Sequence, residues 1–374
     1  MTAALSALGA TAAPAAADIT CSRSGTTLTV TMTAEPLTSP AESMRIGVNA
    51  ADQIRIQDIH SVAVTCTGGT PTVTNVDTIQ IGEDITGSQD SHNTGVTIRS
   101  PSRFAPGATD AGDEQPFNLD EIEFEVDLGE GPRDAVLLSG LPFVSGDPDT
   151  VASFRAGADG VNGDVAGGPL SIEDADVFPS GVEQLSLVGG EFADDVSAAG
   201  GAGTGAPYPR KIRLFGGEGD DQLTGGAGND YVDGGPDGDV MRGRKGADTI
   251  SYLFDDFALR IDISTLGNTD GGVEDGPVGD RDDVGTDFER ILGGLSDDLL
   301  IGNSRKNRLD ATRGVDRMFG LGGNDVLIAT DADIQGLEEK DAIISCGKGR
   351  NDKSIQSFKD PKPRRCETVK RRRA

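Results

Sequence analysis

The sequence predicts an all-β chain: a parallel β-roll or β-helix (solenoid) of short strands joined by Gly/Asp-rich turns. Three observations predict it. Four tandem nonapeptides run from Gly216 to Ser251, reading GGEGDDQLT, GGAGNDYVD, GGPDGDVMR and GRKGADTIS. Each keeps an aspartate at its sixth position (Asp221, Asp230, Asp239, Asp248) and an apolar residue at its eighth (Leu223, Val232, Met241, Ile250). From Gly293 the phase returns as GGLSDDLLI, GNSRKNRLD, ATRGVDRMF and GLGGNDVLI, with Asp298, Asn307, Asp316 and Asp325 at six and Leu300, Leu309, Met318 and Leu327 at eight. Third, the chain has 53 Gly, no Trp and 4% aromatic residues. Its apolar supply is Val, Ile, Leu and Ala, which suits a thin core of stacked short strands better than a large globular one.

Residues 1–17, MTAALSALGATAAPAAA, have the apolar run and small-residue end of an export signal, although the first positive side chain is Arg23. An N-terminal β-rich, β-helix-like region is expected over 18–205. There TTLTVTMT, MRIGVNA, DQIRIQDI, SVAVTC, DTIQIGE, EIEFEVDLG, DAVLLSG and VEQLSLVGG alternate β-branched and polar residues as strands do. Residues 101–115 read as a loop, and Ala156 to Asp176 as a Gly- and Asp-rich stretch. Its Asp159, Asn162, Asp164, Asp174 and Asp176 read as an acidic loop, with a further calcium site as the alternative. GGEFADDVS, Gly189 to Ser197, is a degenerate nonapeptide with Asp194 at six and Val196 at eight.

The first array occupies 206–252. A β-rich insert with an acidic loop fills 253–292; SYLFDDFALRIDISTLG reads as two strands and DGGVEDGPVGDRDDVGT as the loop. The second, degenerate array spans 293–328, and a C-terminal disulfide cap with a basic tail spans 329–374. From Cys346 to Ala374 there are eleven Lys/Arg against three acidic residues. That tail reads as solvated and disordered, with an electrostatic clamp on the acidic coil or attachment to an anionic cell-surface polymer as alternatives.

In a stacked coil the eighth residue points inward, and the rest of each repeat must reverse the chain. Glycines at positions one, two and four permit that turn and expose carbonyl oxygens. The aspartate adds a carboxylate beside them, and Ca²⁺ takes six to eight such oxygens at about 2.3–2.6 Å. The expected cofactor is therefore Ca²⁺. The candidate ligating turns carry Gly217, Gly219, Asp221, Gly226, Gly228, Asp230, Gly235, Asp239, Gly246 and Asp248, then Asp298, Asp316 and Asp325.

These nonapeptides resemble the RTX (repeats-in-toxin, haemolysin-type) calcium-binding family, most strongly over 214–252 and 293–328. The resemblance implies that six residues form each turn and three a strand, and that two repeats make one coil. It pairs Asp221 with Asp239, Asp230 with Asp248, Asp298 with Asp316, and Asn307 with Asp325. Asp237 replaces the fourth glycine of repeat three, Arg244 replaces the second of repeat four, and Asn307 loses a charge. The best sites are therefore expected around the first two repeats, and weaker or empty ones in the second array. The C-terminal stretch from Asp341 resembles the closing segment of secreted, actinobacterial-type members, where two cysteines would staple an end cap.

The net charge of −29 disfavours nucleic acid as a partner. No stretch reaches the ~18 apolar residues of a membrane span. Cys21, Cys66, Cys346 and Cys366 allow three connectivities, of which local pairing is the simplest; with the signal-like start they point to an extracellular location. No HExxH or GxSxG is present, and His60 and His92 read as surface or strand residues. The expected function is calcium binding in a secreted, non-enzymatic structural or adhesive solenoid that folds on the ion. The alternative is a secreted enzyme with a catalytic region in 18–205.

Overall fold

The computed structural model describes residues 18–33, 42–49, 51, 53–58, 62–76, 78–84, 94–99, 123–128, 135–139, 152–165, 177–180, 182–201, 204–267, 269–273, 275, 281–330 and 341–372. The signal-like segment 1–17, the loop 101–115, His60, His92, Asp174 and Asp176 lie outside the described residues.

Three-residue strands dominate the repeat region because only positions seven to nine are extended. In Gln222–Thr224, Tyr231–Asp233, Leu299–Ile301 and Arg308–Asp310 the middle side chain is buried and its neighbours face outward. Successive strands alternate between two faces of the coil. Each therefore pairs, parallel and in register, with the strand two repeats on: Leu223 opposite Met241, Val232 opposite Ile250, Leu300 opposite Met318, and Leu309 opposite Leu327. The strands assemble into an 11-stranded sheet, a 13-stranded sheet and a 4-stranded sheet. The last begins at Arg260–Asp262 and serves the second array. The described residues contain no helix. The fold is thus an all-β, mostly parallel β-roll.

One connected core runs along the coil. All eight position-eight side chains of the two arrays are 0% exposed, including Met241, Met318 and Leu309. A single repeat buries one such side chain, worth roughly 1.5–3 kcal/mol. That is less than the ordering cost of nine residues, so a repeat is stable only between neighbours.

The N-terminal region carries the same two sheets forward, but with antiparallel pairs. Asp18–Ser24 pairs with Thr27–Thr33 across Gly25 and Thr26, where Gly25 is left-handed. Glu42–Val48 pairs with Ile54–Asp58. Three sequence readings need correction here. Of SVAVTC, the described residues 62–66 form no strand: Ala63 forms only a bridge to Gln57, and Cys66 is bonded to Cys21. The Gly/Asp-rich stretch is not merely a loop, because Ala152–Gly157 and Gly160–Val165 form a hairpin whose turn carries Asp159. SYLFDDFALRIDISTLG yields one new strand, Arg260–Asp262, after the end of the preceding repeat strand Thr249–Ser251. The C-terminal tail also departs from the disordered reading. Thr368–Arg372 pairs with Lys353–Ser357 and ends the 13-stranded sheet, and Cys346 is bonded to Cys366.

Leu309→Ala should cost about 2–5 kcal/mol of stability, read from denaturant unfolding at saturating calcium. The exposed Gln222→Ala should stay within about 0.5 kcal/mol of wild type. Equal effects would contradict an inward position eight.

Candidate metal centre

The position-six side chains form ladders along the turns. Asp239 Oδ1 accepts from the Asp221 amide at 2.8 Å, and Asp248 Oδ1 from the Asp230 amide at 2.8 Å. In the second array Asp316 Oδ1 accepts from the Asp298 amide at 2.8 Å, and Asp325 Oδ1 from the Asn307 amide at 2.9 Å. The structure thus brings together the pairs implied by the resemblance.

It also extends the ladders to residues the period does not reveal. Asp221 accepts from the Asp194 amide at 2.7 Å, and Asp282, in the predicted acidic loop, from the Asp239 amide at 2.9 Å. Glu289 accepts from Asp248 at 3.1 Å, Asp341 from Asp316 at 3.0 Å, Asp352 from Asp325 at 2.8 Å, and Glu367 from Asp352 at 2.7 Å. Insertions and one shortened turn take these acids out of phase. The remaining signal is an acidic residue one or two positions before a short apolar strand. Asp282, Asp341 and Asp352 are 0–3% exposed, unlike residues of a solvated loop.

The second oxygen of each side chain divides the turns into two classes. In the first class the position-two amide closes on it: Gly190 on Asp194 at 2.5 Å, Gly226 on Asp230 at 2.6 Å and Gly294 on Asp298 at 2.8 Å; Asn303 closes in the same way on the single side-chain oxygen of Asn307 at 2.8 Å. In the second class position two is left-handed, at Gly217 (φ 119°), Gly235 (φ 99°), Arg244 (φ 67°), Thr312 (φ 62°) and Leu321 (φ 65°). In these turns the second oxygen of Asp221, Asp239, Asp248 and Asp325 is buried with no hydrogen-bond partner. The left-handed turn costs Arg244, Thr312 and Leu321 backbone strain, since only glycine adopts it freely. It is nevertheless kept where the glycine has been lost.

The two classes follow position in the stack. The closed turns of Asp194, Asp230 and Asp298 come first in a run, and left-handed turns lie on top of another turn of the ladder; the closed turn of Asn307 is the exception, since it lies on the turn of Glu289. Close stacking is enforced by glycine at Gly235, where a Cβ would overlap the carbonyl oxygen of Gly217. Gly226 and Gly228 are not left-handed, contrary to a uniform reading of the motif; they are needed because Tyr208 and Arg210 carbonyls pass against them. Gly217, Gly219 and Gly246 also abut backbone of the turn below. Of the other candidates, Asp159 turns the hairpin, and Asn162 and Asp164 lie on its second strand opposite Arg155 and Ser153.

Burial raises the carboxyl pKa values. Asp221 is pushed up to about 8 and Asp248 to about 7, with neighbouring acids adding to the effect of burial. Asp239 is pushed to about 10 by burial and then by Asp282, while Asp298 and Asp325 reach about 7. A buried carboxylate lacking a donor is costly unless a cation compensates it. Among the described residues no three Asp, Glu, His or Cys side chains converge on one ion position. Turn carbonyls must therefore complete the shell. The available donors are hard oxygens, the set Ca²⁺ prefers, so the residues present fit this ion.

A parallel β-roll with carboxylate-bearing Gly turns defines a calcium-binding solenoid. Residues 215–250 and 285–329 match the family model of the RTX calcium-binding nonapeptide repeat, in four copies. The chain therefore carries RTX repeats, and RTX repeats bind Ca²⁺. No curated protein matches the chain.

Two outcomes are expected. In chelator the folded chain holds more protons than the unfolded one between about pH 4 and the raised carboxyl values of 7 to 10. Stability should accordingly fall as pH rises through that window, and saturating calcium should flatten the dependence; thermal melts from pH 5 to 9 check this. Separately, Leu321→Gly should stabilise the calcium-loaded protein. Relief of about 1–2 kcal/mol of left-handed strain exceeds the added unfolded-state entropy of about 0.4–1 kcal/mol. A lowered melting midpoint would argue against the left-handed turn.

Proposed function

We propose that this chain is a secreted, non-enzymatic calcium-dependent solenoid with a structural or adhesive role. The observation that carries the reading is the set of buried carboxylate oxygens without donors at Asp221, Asp239, Asp248 and Asp325. Each sits in a left-handed turn stacked on another turn of its ladder, which bears an acid beneath Asp221, Asp239 and Asp248 and bears Asn307 beneath Asp325. With Asp316 over Asp298, in the left-handed turn of Thr312, this defines five inter-turn positions. The two over Asp298 and Asn307 belong to the second array, so that array is read as competent despite its lost glycines. Gly217, Gly219, Gly235 and Gly246, with Gly226 and Gly228, shape the turns; Asp230 and Asp298 are the lower partners of Asp248 and Asp316.

Bound calcium would supply the positive charge and oxygen coordination these turns lack. The chain's own residues supply the rest. Without compensation, stacking brings like charges into a buried line and opposes the burial of the position-eight side chains. With compensation, the same stacking buries Leu223, Met241 and Val232 and closes the ladders. Folding and ion binding are therefore one equilibrium.

Secretion is supported by the Cys21–Cys66 and Cys346–Cys366 bonds, which persist in oxidising compartments. Support for the non-enzymatic reading comes from the parallel strand ladder that joins the N-terminal region to the arrays. The cavity there, lined by Gly157–Gly160, Phe178–Ser180 and Tyr208–Arg210, is small at about 150 Å³, with Asp159 as its carboxylate. The exposed basic residues Lys370 and Arg371 support an adhesive contact with an anionic cell-surface polymer.

Circular dichroism and equilibrium dialysis of residues 18–374 across a calcium titration test the reading. The expected result is calcium-dependent β-signal with about five ions per chain. A β-signal and melting midpoint indifferent to millimolar calcium and to chelator would reject it.

A further inference from the structure

One turn in the second array departs from the repeat pattern at three positions at once. In the repeat Gly302–Asp310, positions two, four and six hold Asn303, Arg305 and Asn307 in place of Gly, Gly and Asp. This turn follows the shortened turn leading to the strand Arg290–Leu292, with which its own strand Arg308–Asp310 pairs. The lower turn still presents an oxygen set: the Thr286 and Phe288 carbonyls and the Glu289 carboxylate.

Donors from the upper turn fill that set. The Arg305 guanidinium donates to the Thr286 carbonyl and lies 3.0 Å from Glu289 Oε1. The Asn303 amide, 7% exposed, donates to Thr286 O at 3.1 Å and reaches Phe288 O and Ile263 O at 3.5 Å. Asn307 Nδ2 is buried without a partner, while its Oδ1 accepts from the Asn303 amide. The same substitutions that remove ligands from the upper turn thus install donors for the lower one.

We propose that Arg305, assisted by Asn303, is a built-in counter-cation that replaces calcium at the junction of the two arrays. This rests on the calcium reading above. It makes one interface in the coil stack without metal, whereas the Asn307–Asp325 interface directly above it and the Asp230–Asp248 interface further down the same stack, beyond the rung of Asp248 and Glu289, remain metal-dependent. The guanidinium suits the role because it stays charged at all relevant pH values and offers several donors in a fixed plane.

The test compares wild type with Asn303→Gly/Arg305→Gly/Asn307→Asp, which restores the nonapeptide pattern at all three positions. Calcium per chain is counted by equilibrium dialysis, with circular dichroism confirming the β-fold at saturating calcium. One additional ion per chain in the folded triple variant is expected; an unchanged count overturns the proposal. Should the triple variant not fold, Arg305→Gln and Arg305→Lys decide. At saturating calcium Arg305→Gln should lower the melting midpoint without changing the ion count, and Arg305→Lys should recover part of the loss. An Arg305→Gln midpoint equal to wild type overturns the proposal. A wild type that binds no calcium would instead reject the reading on which the proposal rests.

Discussion

The structure depends on how closely stacked turns tolerate a line of buried carboxylates. In separate ladders, acids such as Asp221, Asp239, Asp282, Asp352 and Glu367 sit above one another at coil spacing, each accepting the amide of the turn below. That bond sets the register of the strands on both faces. The same geometry buries the aspartates with little or no solvent contact, and places Asp239 within reach of the charges of Asp282 and Asp221. Hydrophobic burial at position eight favours the stack, and electrostatics at position six oppose it until a cation intervenes. Neither side is large per repeat, so the balance is decided collectively along the coil.

The ends and interruptions of the ladders show how the chain handles a carboxylate when no acid-bearing turn lies above or below. At the start of a run, the turn flattens and its own position-two amide closes on the carboxylate, as at Asp230 and Asp298. After the first array, the Tyr252 hydroxyl donates to Asp282 Oδ2 at 2.5 Å, and burial together with that acid holds the phenol protonated. At the junction, Arg305 meets Glu289. An amide, a hydroxyl and a guanidinium thus serve the same purpose at different places, which is to supply a donor where stacking leaves an acid exposed to low dielectric. A second line of side chains reinforces the outer edge of the turns: Asp220, Asn229 and Asp297 accept the amides of Gly238, Ala247 and Val315, eighteen residues on.

Much of this was legible from two columns of the sequence. Position eight identified the core, and position six identified acids that pair eighteen residues apart. The failures have specific causes. Asp282, Asp341 and Asp352 were missed because insertions move them out of phase, although in space they occupy the next rung. SVAVTC alternates like a strand, yet the bond from Cys66 to Cys21 and the bridge at Ala63 hold it beside the sheets. In the second array glycine, the usual marker of a left-handed residue, is missing at position two of two left-handed turns. Thr312 and Leu321 adopt that conformation regardless, since stacking on the turn below over-determines it.

By itself the sequence determined the all-β class, the coil period, the inward residues and the calcium chemistry. Each follows from a local rule: an apolar residue every nine positions must be buried, and glycine with aspartate in a turn presents oxygens. Only the tertiary structure decided which turns close on themselves and which stay left-handed, because that depends on how each turn stacks on the one beneath it. It also decided that Arg305 and Tyr252 meet acids sixteen and thirty residues away. Those contacts arise from stacking across an insertion, and no periodicity in the chain encodes them.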